Sequence, residues 1–187
     1  GGGGGYESMG TAGRLGHNTN GSGPGLGGNV VGQPDLSIAS YFGGGGGSGS
    51  NSYTSDAAGN LAGGGGSGGG FLFISAANLS VSGQIQANGT NGGDATGHAT
   101  GGGGAGAGGA IFIRSKTANL GSGIVSVGGT GGTGGAFSIL GGNGGYGRVF
   151  VQYCDSASGN STPITAQQKL NCYIAEQIET SPYNLGR

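Results

Sequence analysis

The sequence is poor in most of what a soluble enzyme or a nucleic-acid binder uses. It has no tryptophan, one methionine, two cysteines and four prolines, and six Lys and Arg stand against seven Asp and Glu in 187 residues. A formal net charge of −1 leaves no basic surplus to meet a phosphate backbone, so no nucleic-acid partner is expected. It also removes the self-repulsion that keeps a polar chain expanded. No apolar run approaches the roughly 18 residues of a membrane helix, and no membrane span is expected. A strict Gly-X-Y period is missing, which excludes collagen. No G-x-x-x-x-G-K-[ST] sequence occurs, so the glycines do not form a phosphate loop of that type.

Catalytic chemistry is equally sparse. Glu7, Asp35, Asp56, Asp94, Asp155, Glu176 and Glu179 are scattered, with no repeated pair for general acid and base work. That speaks against a polysaccharide hydrolase or lyase, and the chain is expected not to be an enzyme. His17 and His98 sit in polar, Gly-rich stretches without a Cys or carboxylate at ligand spacing, and read as solvated loop residues. Asn91-Gly92-Gly93-Asp94 hints at a calcium-binding Gly-Asp coil, but the nonapeptide is not completed and does not recur. No cofactor or metal is expected.

What the chain has is glycine, 55 of 187 residues, several times the roughly 7 per cent of ordinary proteins. Tracts such as 101–109 and 128–135 exclude helix, because each Gly costs about 1 kcal/mol relative to Ala in a helix interior. Between them lie short β-branched or aromatic segments: Phe71-Leu72-Phe73-Ile74-Ser75-Ala76, Ile111-Phe112-Ile113-Arg114-Ser115 and Arg148-Val149-Phe150-Val151-Gln152-Tyr153. These read as strands. A shift of forty residues aligns Phe71 with Ile111, Phe73 with Ile113, Ser82-Gly83 with Ser122-Gly123 and Ile85 with Val125. The unit is a Gly tract, a strand, a turn, a second strand and another Gly tract.

Repeated units that cannot close a core alone point to stacking. The expected fold is all-β: a Gly-rich β-solenoid or β-helix, or a stacked β-sandwich, with polyglycine-II-like tracts and a small disulfide-bonded C-terminal cap. Flexible linkers are the alternative reading of the tracts. The expected organisation is an N-terminal Gly-rich region over 1–62, holding a degenerate repeat at most, then a β-repeat domain over 63–153 with units near 68–107, 108–145 and 146–153, then a cap or linker over 154–187.

The motifs Gly-Gly-Gly-Phe-Leu-Phe-Ile-Ser-Ala (68–76) with Gln-Ile-Gln-Ala-Asn-Gly (84–89), and Gly-Gly-Tyr-Gly-Arg-Val-Phe-Val-Gln-Tyr (144–153), carry a resemblance. The chain resembles the glycine-rich repeat proteins of microbial cell surfaces over residues 63–153. There a G-G-x-I-x-I-x-A strand is followed by a strand ending A-N-G-G, and the array closes on G-G-G-R-I-x-x-x-Y. Gly147, Arg148 and Tyr153 match the closing strand best, while residues 1–60 depart from the pattern. The resemblance implies a secreted, repetitive β-architecture used for surface structure, adhesion or filament formation. A second resemblance, to polyglycine II bundles of phage tail-tip adhesins and some antifreeze proteins, rests on the Gly tracts alone.

After Tyr153 glycine nearly vanishes. Cys154 and Cys172 are expected to form an intramolecular disulfide rather than to remain a reduced pair, and closing that loop would remove roughly 3 kcal/mol of unfolded-state entropy. Thr162-Pro163, with Thr165 and Gln168 as a capping pair and Leu170, Ile174 and Ile178 on one face, suggests a helix. Alternation of Leu170, Cys172 and Ile174 suggests a strand; the helical pattern is the preferred one. Asn20, Asn78, Asn88 and Asn160 lie in N-x-[ST] sequences and are candidate glycan acceptors. Tyr6, Tyr41, Tyr53, Tyr146, Tyr153, Tyr173 and Tyr183 suit the covering of bare backbone. The chain opens on Gly1–Gly5 without an initiating Met or signal peptide, as a processed product or an excised part would, and those glycines could add to the tracts of other subunits.

The functional expectation is a secreted, extracellular or cell-surface structural protein, a filament or surface-layer subunit whose partners are copies of itself. The alternative is an adhesin or receptor-binding module that presents loops around 88–100 and 131–145, with cell-surface glycans as its partner. Thr130 and Thr133 are too few for an ice-binding array.

Overall fold

Glycine tracts have no side chains to pack, so their order must come from backbone hydrogen bonds, and the tract 101–109 shows how. The computed structural model describes residues 1–14, 24–51, 59–97, 100–135, 138–163 and 166–172. Every residue from Gly101 to Gly109 is buried, and each donates its N–H to another segment. Gly101, Gly104 and Ala107 donate to the carbonyls of Ser50, Gly47 and Gly44. Gly102, Ala105 and Gly108 donate to Ile139, Gly142 and Gly145, and Gly103, Gly106 and Gly109 to Gly93, Thr90 and Ala87.

The carbonyls follow the same rule. Those of Gly101, Gly104 and Ala107 accept from Gly63, Gly66 and Gly69, those of Gly103 and Gly106 from Gly132 and Gly129, and that of Ala105 from Gly4. The Gly1 amine donates to Gly102 at 2.9 Å. The partner changes every residue and returns every third, the repeat of an extended chain of the polyproline II type. One tract is thereby held by six neighbours, three running with it and three against it.

Close approach demands glycine at the inward positions. A Cβ on Gly106 would overlap the Ser67 carbonyl, and one on Gly104 would overlap the Gly2 carbonyl, backbone atoms that no rotamer change can move. At Gly64, on the outer side of its tract, a Cβ would meet nothing.

The described residues form seven strands, the three long ones each following a Gly tract: β1 (Phe71–Ser80), β2 (Ile85–Gln86), β3 (Ala110–Asn119), β4 (Ile124–Val125), β5 (Arg148–Ser158), β6 (Ser161–Thr162) and β7 (Ala166–Lys169). They form two open parallel sheets, β1-β3-β5-β7 and β2-β4-β6. Successive side chains of a strand point to opposite faces, so the larger sheet has two apolar sides. Ile111, Ile113, Val149 and Val151 pack on one side with Ala118, Leu120, Ile124 and Ala87. Ala110, Phe112 and Phe150 pack on the other with Tyr6, Leu36 and Ala107. Phe73, Phe112 and Phe150 form a row across the sheet, with ring centroids 5.0 and 5.5 Å apart.

This corrects the expected fold class. Among the described residues no sheet closes and no solenoid or β-helix coil forms; the strands of the smaller sheet are two residues long, too short for one layer of a stacked sandwich. The Gly tracts lie in a bundle beside the sheets rather than in the coils of a solenoid. The described part of the C-terminal segment, up to Cys172, is built into the same sheets. β5 runs through Cys154, and β6 and β7 join the same two sheets as the repeats.

The expected repeat offset is also corrected. Phe71 pairs with Ala110, Phe73 with Phe112 and Ile85 with Ile124, one residue short of a forty-residue shift. A one-residue slip turns every side chain to the other face, and the observed register aligns Phe73 with Phe112 and Phe150, and Leu72 with Ile111 and Val149. Strands over 161–162 and 166–169 replace the start of the expected helix; its remainder, with Ile174 and Ile178, lies outside the described residues. Gly3, Gly4 and Gly5 also bond within their own bundle, to Thr11 and Gly28, to Ala105 and Gly145, and to Gly44, instead of standing free for other subunits.

Gly106→Ala is expected to lower stability by about 3 kcal/mol, the upper part of the overpacking range. Gly64→Ala should be neutral or raise it by about 0.5 kcal/mol through the unfolded chain. Denaturant midpoints of the two variants check this contrast.

Candidate functional site

The three-residue period of the tracts brings side chains spaced by three to one side, and Asn88, Asn91 and Asp94 use it. Asn88 Oδ1 accepts from the Val127 N–H at 3.0 Å, Asn91 Oδ1 from Thr130 at 2.9 Å, and Asp94 Oδ1 from Thr133 at 2.7 Å. The Thr133 hydroxyl adds a second bond to Asp94 at 2.8 Å. Across the next groove, Asn143 Oδ1 accepts from Gly131 at 2.8 Å, and Thr11 Oγ1 from the Asn143 N–H at 2.7 Å. The Asn and Asp side chains receive N–H groups of the 127–133 tract that alternate with Gly129 and Gly132, whose N–H groups go to backbone carbonyls.

The loops expected to present a ligand surface are therefore tied down at these points. Asp94 is solvent-exposed, and the hydrogen bonds from the Thr133 amide and hydroxyl hold its carboxyl below the usual carboxylate range. It serves here as a backbone acceptor like Asn91 beside it. Of the candidate glycan acceptors, Asn78 is exposed on β1 and its Oδ1 takes a bond from the Thr117 hydroxyl at 2.6 Å. Asn160 is exposed beside the turn glycine Gly159, and Asn88 is half-buried in the row just described. Asn20, His17 and His98 lie outside the described residues.

Cys154 and Cys172 form the expected disulfide, with Cα atoms 5.6 Å apart. It closes a loop containing β6 and β7, and a shallow hollow beside it is lined by Cys154, Asp155, Lys169, Leu170 and Asn171. The Arg148 side chain, at the start of β5, is buried. Its guanidinium lies 5.2 Å from the centre of the Tyr6 ring and donates to the Val31 carbonyl at 3.0 Å. Burial pushes the Glu7 carboxyl up, with Arg148 opposing, and pushes the Tyr6 phenol up. Sequence reasoning missed this group, because it draws residues from segments more than a hundred positions apart. It ties the first forty residues to the closing strand and brings no nucleophile to a base.

Among the described residues no group of three or more His, Cys, Asp and Glu could hold a metal ion, and no helix is long and apolar enough to cross a membrane. The chain matches no family model, no curated protein and no solved structure. The resemblance to glycine-rich surface proteins rests on its motifs alone.

A carboxyl held low by its partners stabilises the fold above its ordinary pKa of about 4, and that contribution is lost as pH falls through the lowered value. Wild-type protein should therefore lose more melting temperature between about pH 7 and pH 3 than Asp94→Asn, which keeps an acceptor without a charge. Thermal melts of both proteins across that range read the difference. Replacing both cysteines by serine is expected to cost roughly 3 kcal/mol and to raise amide exchange in β7 before β3, which hydrogen-exchange mass spectrometry resolves.

Proposed function

We propose that this chain is a secreted structural subunit of an extracellular filament or cell-surface layer, whose partners are further copies of itself. The observation that carries the reading is the tract 101–109, nine buried residues each bonded through its backbone to one of six neighbouring segments. Such a bundle resists heat and proteases without a large apolar core, because a buried amide stays shut while its partner is in place. The interaction is also generic. Parallel pairing joins each repeat to the next without closing the sheet, so the forces that stack units inside the chain are the ones available between chains.

The disulfide supports an oxidising, extracellular location. The reading is non-enzymatic and calls for no cofactor. Light scattering of the native protein at micromolar concentration, with negative-stain electron microscopy of the same sample, tests it. Filaments or sheets with a short regular repeat are the expected result. Particles no larger than a few copies at every concentration, together with saturable binding to a surface glycan, would overturn it in favour of an adhesive module.

A further inference from the structure

β1 is an end strand of the larger sheet, and among the described residues it lacks the usual protections of an edge. Edges are normally blunted by charge, proline or a covering element, yet Phe71–Ser80 contains neither a charged residue nor a proline. Phe71, Leu72 and Phe73 are 39, 37 and 49% exposed. They are not stray surface residues. Phe73 ends the ring row through Phe112 and Phe150, and Leu72 ends the row through Ile111 and Val149, so both faces of the sheet stop short at β1.

The phase of the strand is fixed by its inner ladder. The Ala110 N–H donates to the Gly70 carbonyl at 3.0 Å, and Ala110 is the register partner of Phe71. In a parallel ladder this turns the N–H and C=O groups of Phe71, Phe73 and Ser75 away from β3. Just before them, a Cβ at Gly70 would meet nothing, so the monomer leaves room there that it does not fill.

We propose that β1 is a two-fold joint between two copies of this chain, paired antiparallel about Phe73. In that register Phe73 faces Phe73 of the second copy and Phe71 faces Ser75, and the outward groups of three residues on each strand supply about six backbone hydrogen bonds. The occupant is a second β1 because of what each sheet end offers. The opposite end, β7, reads Ala166-Gln167-Gln168-Lys169 and would lay amides and an ammonium on the apolar rows. Another β1 continues the Phe row and the aliphatic row with like residues on both faces. The contact is isologous and closes at two, so it supplies one joint and stands or falls apart from filament growth.

Sedimentation velocity of the full chain across a concentration series tests the joint, with hydrogen exchange on dilute and concentrated samples. Dimerisation is expected in the wild type, and concentration should slow exchange at Phe71, Phe73 and Ser75 while leaving Leu72 and Ile74 protected throughout. Ser75→Pro removes an outward donor that β3 does not use and should weaken dimerisation at least tenfold; Ser75→Lys should do the same by edge charge. Melting temperatures equal to wild type in dilute samples, below the dimerising concentration, would show that both variants fold. A wild type that stays monomeric, a dimer whose three outward amides remain unprotected, or folded variants that dimerise like wild type would each overturn the joint. Filaments formed equally by wild type and Ser75→Pro would leave the structural reading standing without this joint. Dimers that never grow further would leave the joint without the filament.

Discussion

Everything in this structure depends on satisfying the backbone polar groups of glycine. Fixing one residue costs roughly 1–2 kcal/mol and glycine loses the most, while an unpaired buried amide costs about as much again. A tract such as 101–109 is therefore ordered only if nearly all its groups are matched at once, and six surrounding segments do this. The sheets, the apolar rows and the position of the first residues follow from where those six segments must lie. Side chains share in this matching along the 127–133 tract, through Asn88, Asn91, Asp94 and Asn143.

That dependence also explains the balance between the two apolar clusters and the bundle. Strands begin where a tract gives way to alternating large side chains: Gly70 precedes Phe71 and Gly109 precedes Ala110. The same segment thus packs main chain on main chain at one end and side chain on side chain at the other. The disulfide and the buried Arg148 fasten segments that lie outside this continuous pattern.

Much of this was legible in the residues. The three main strands, the Gly-tract punctuation and the Cys154–Cys172 bond could be read directly. The register could have been: Phe71-Leu72-Phe73-Ile74, Ala110-Ile111-Phe112-Ile113 and Arg148-Val149-Phe150-Val151 align Phe with Phe and aliphatic with aliphatic. Matching apolar class alone loses that distinction and slips by one. The spacing of Asn88, Asn91 and Asp94 by three was visible too, but its meaning depends on Val127, Thr130 and Thr133 lying alongside. The solenoid expectation failed for a physical reason. It stacked the repeat units along a single axis with the polyglycine-II-like tracts as part of each turn, whereas a three-residue repeat sends hydrogen bonds in several directions around the chain and builds in two dimensions. Which distant segments fill those directions, residues 1–4 and 44–50 among them, is set by space-filling and leaves no local mark.

The direction of the hydrogen bonds has a mechanical consequence. Those around tract 101–109 run across the chain axis, so a pull along that axis loads many of them together in shear, and none can fail before its neighbours share the force. A pull across the sheet at β1 loads its ladder one rung at a time, as in peeling tape. The same protein is therefore stiff along its tracts and weak at one lateral border, an anisotropy that comes from geometry with no change in the strength of any single bond.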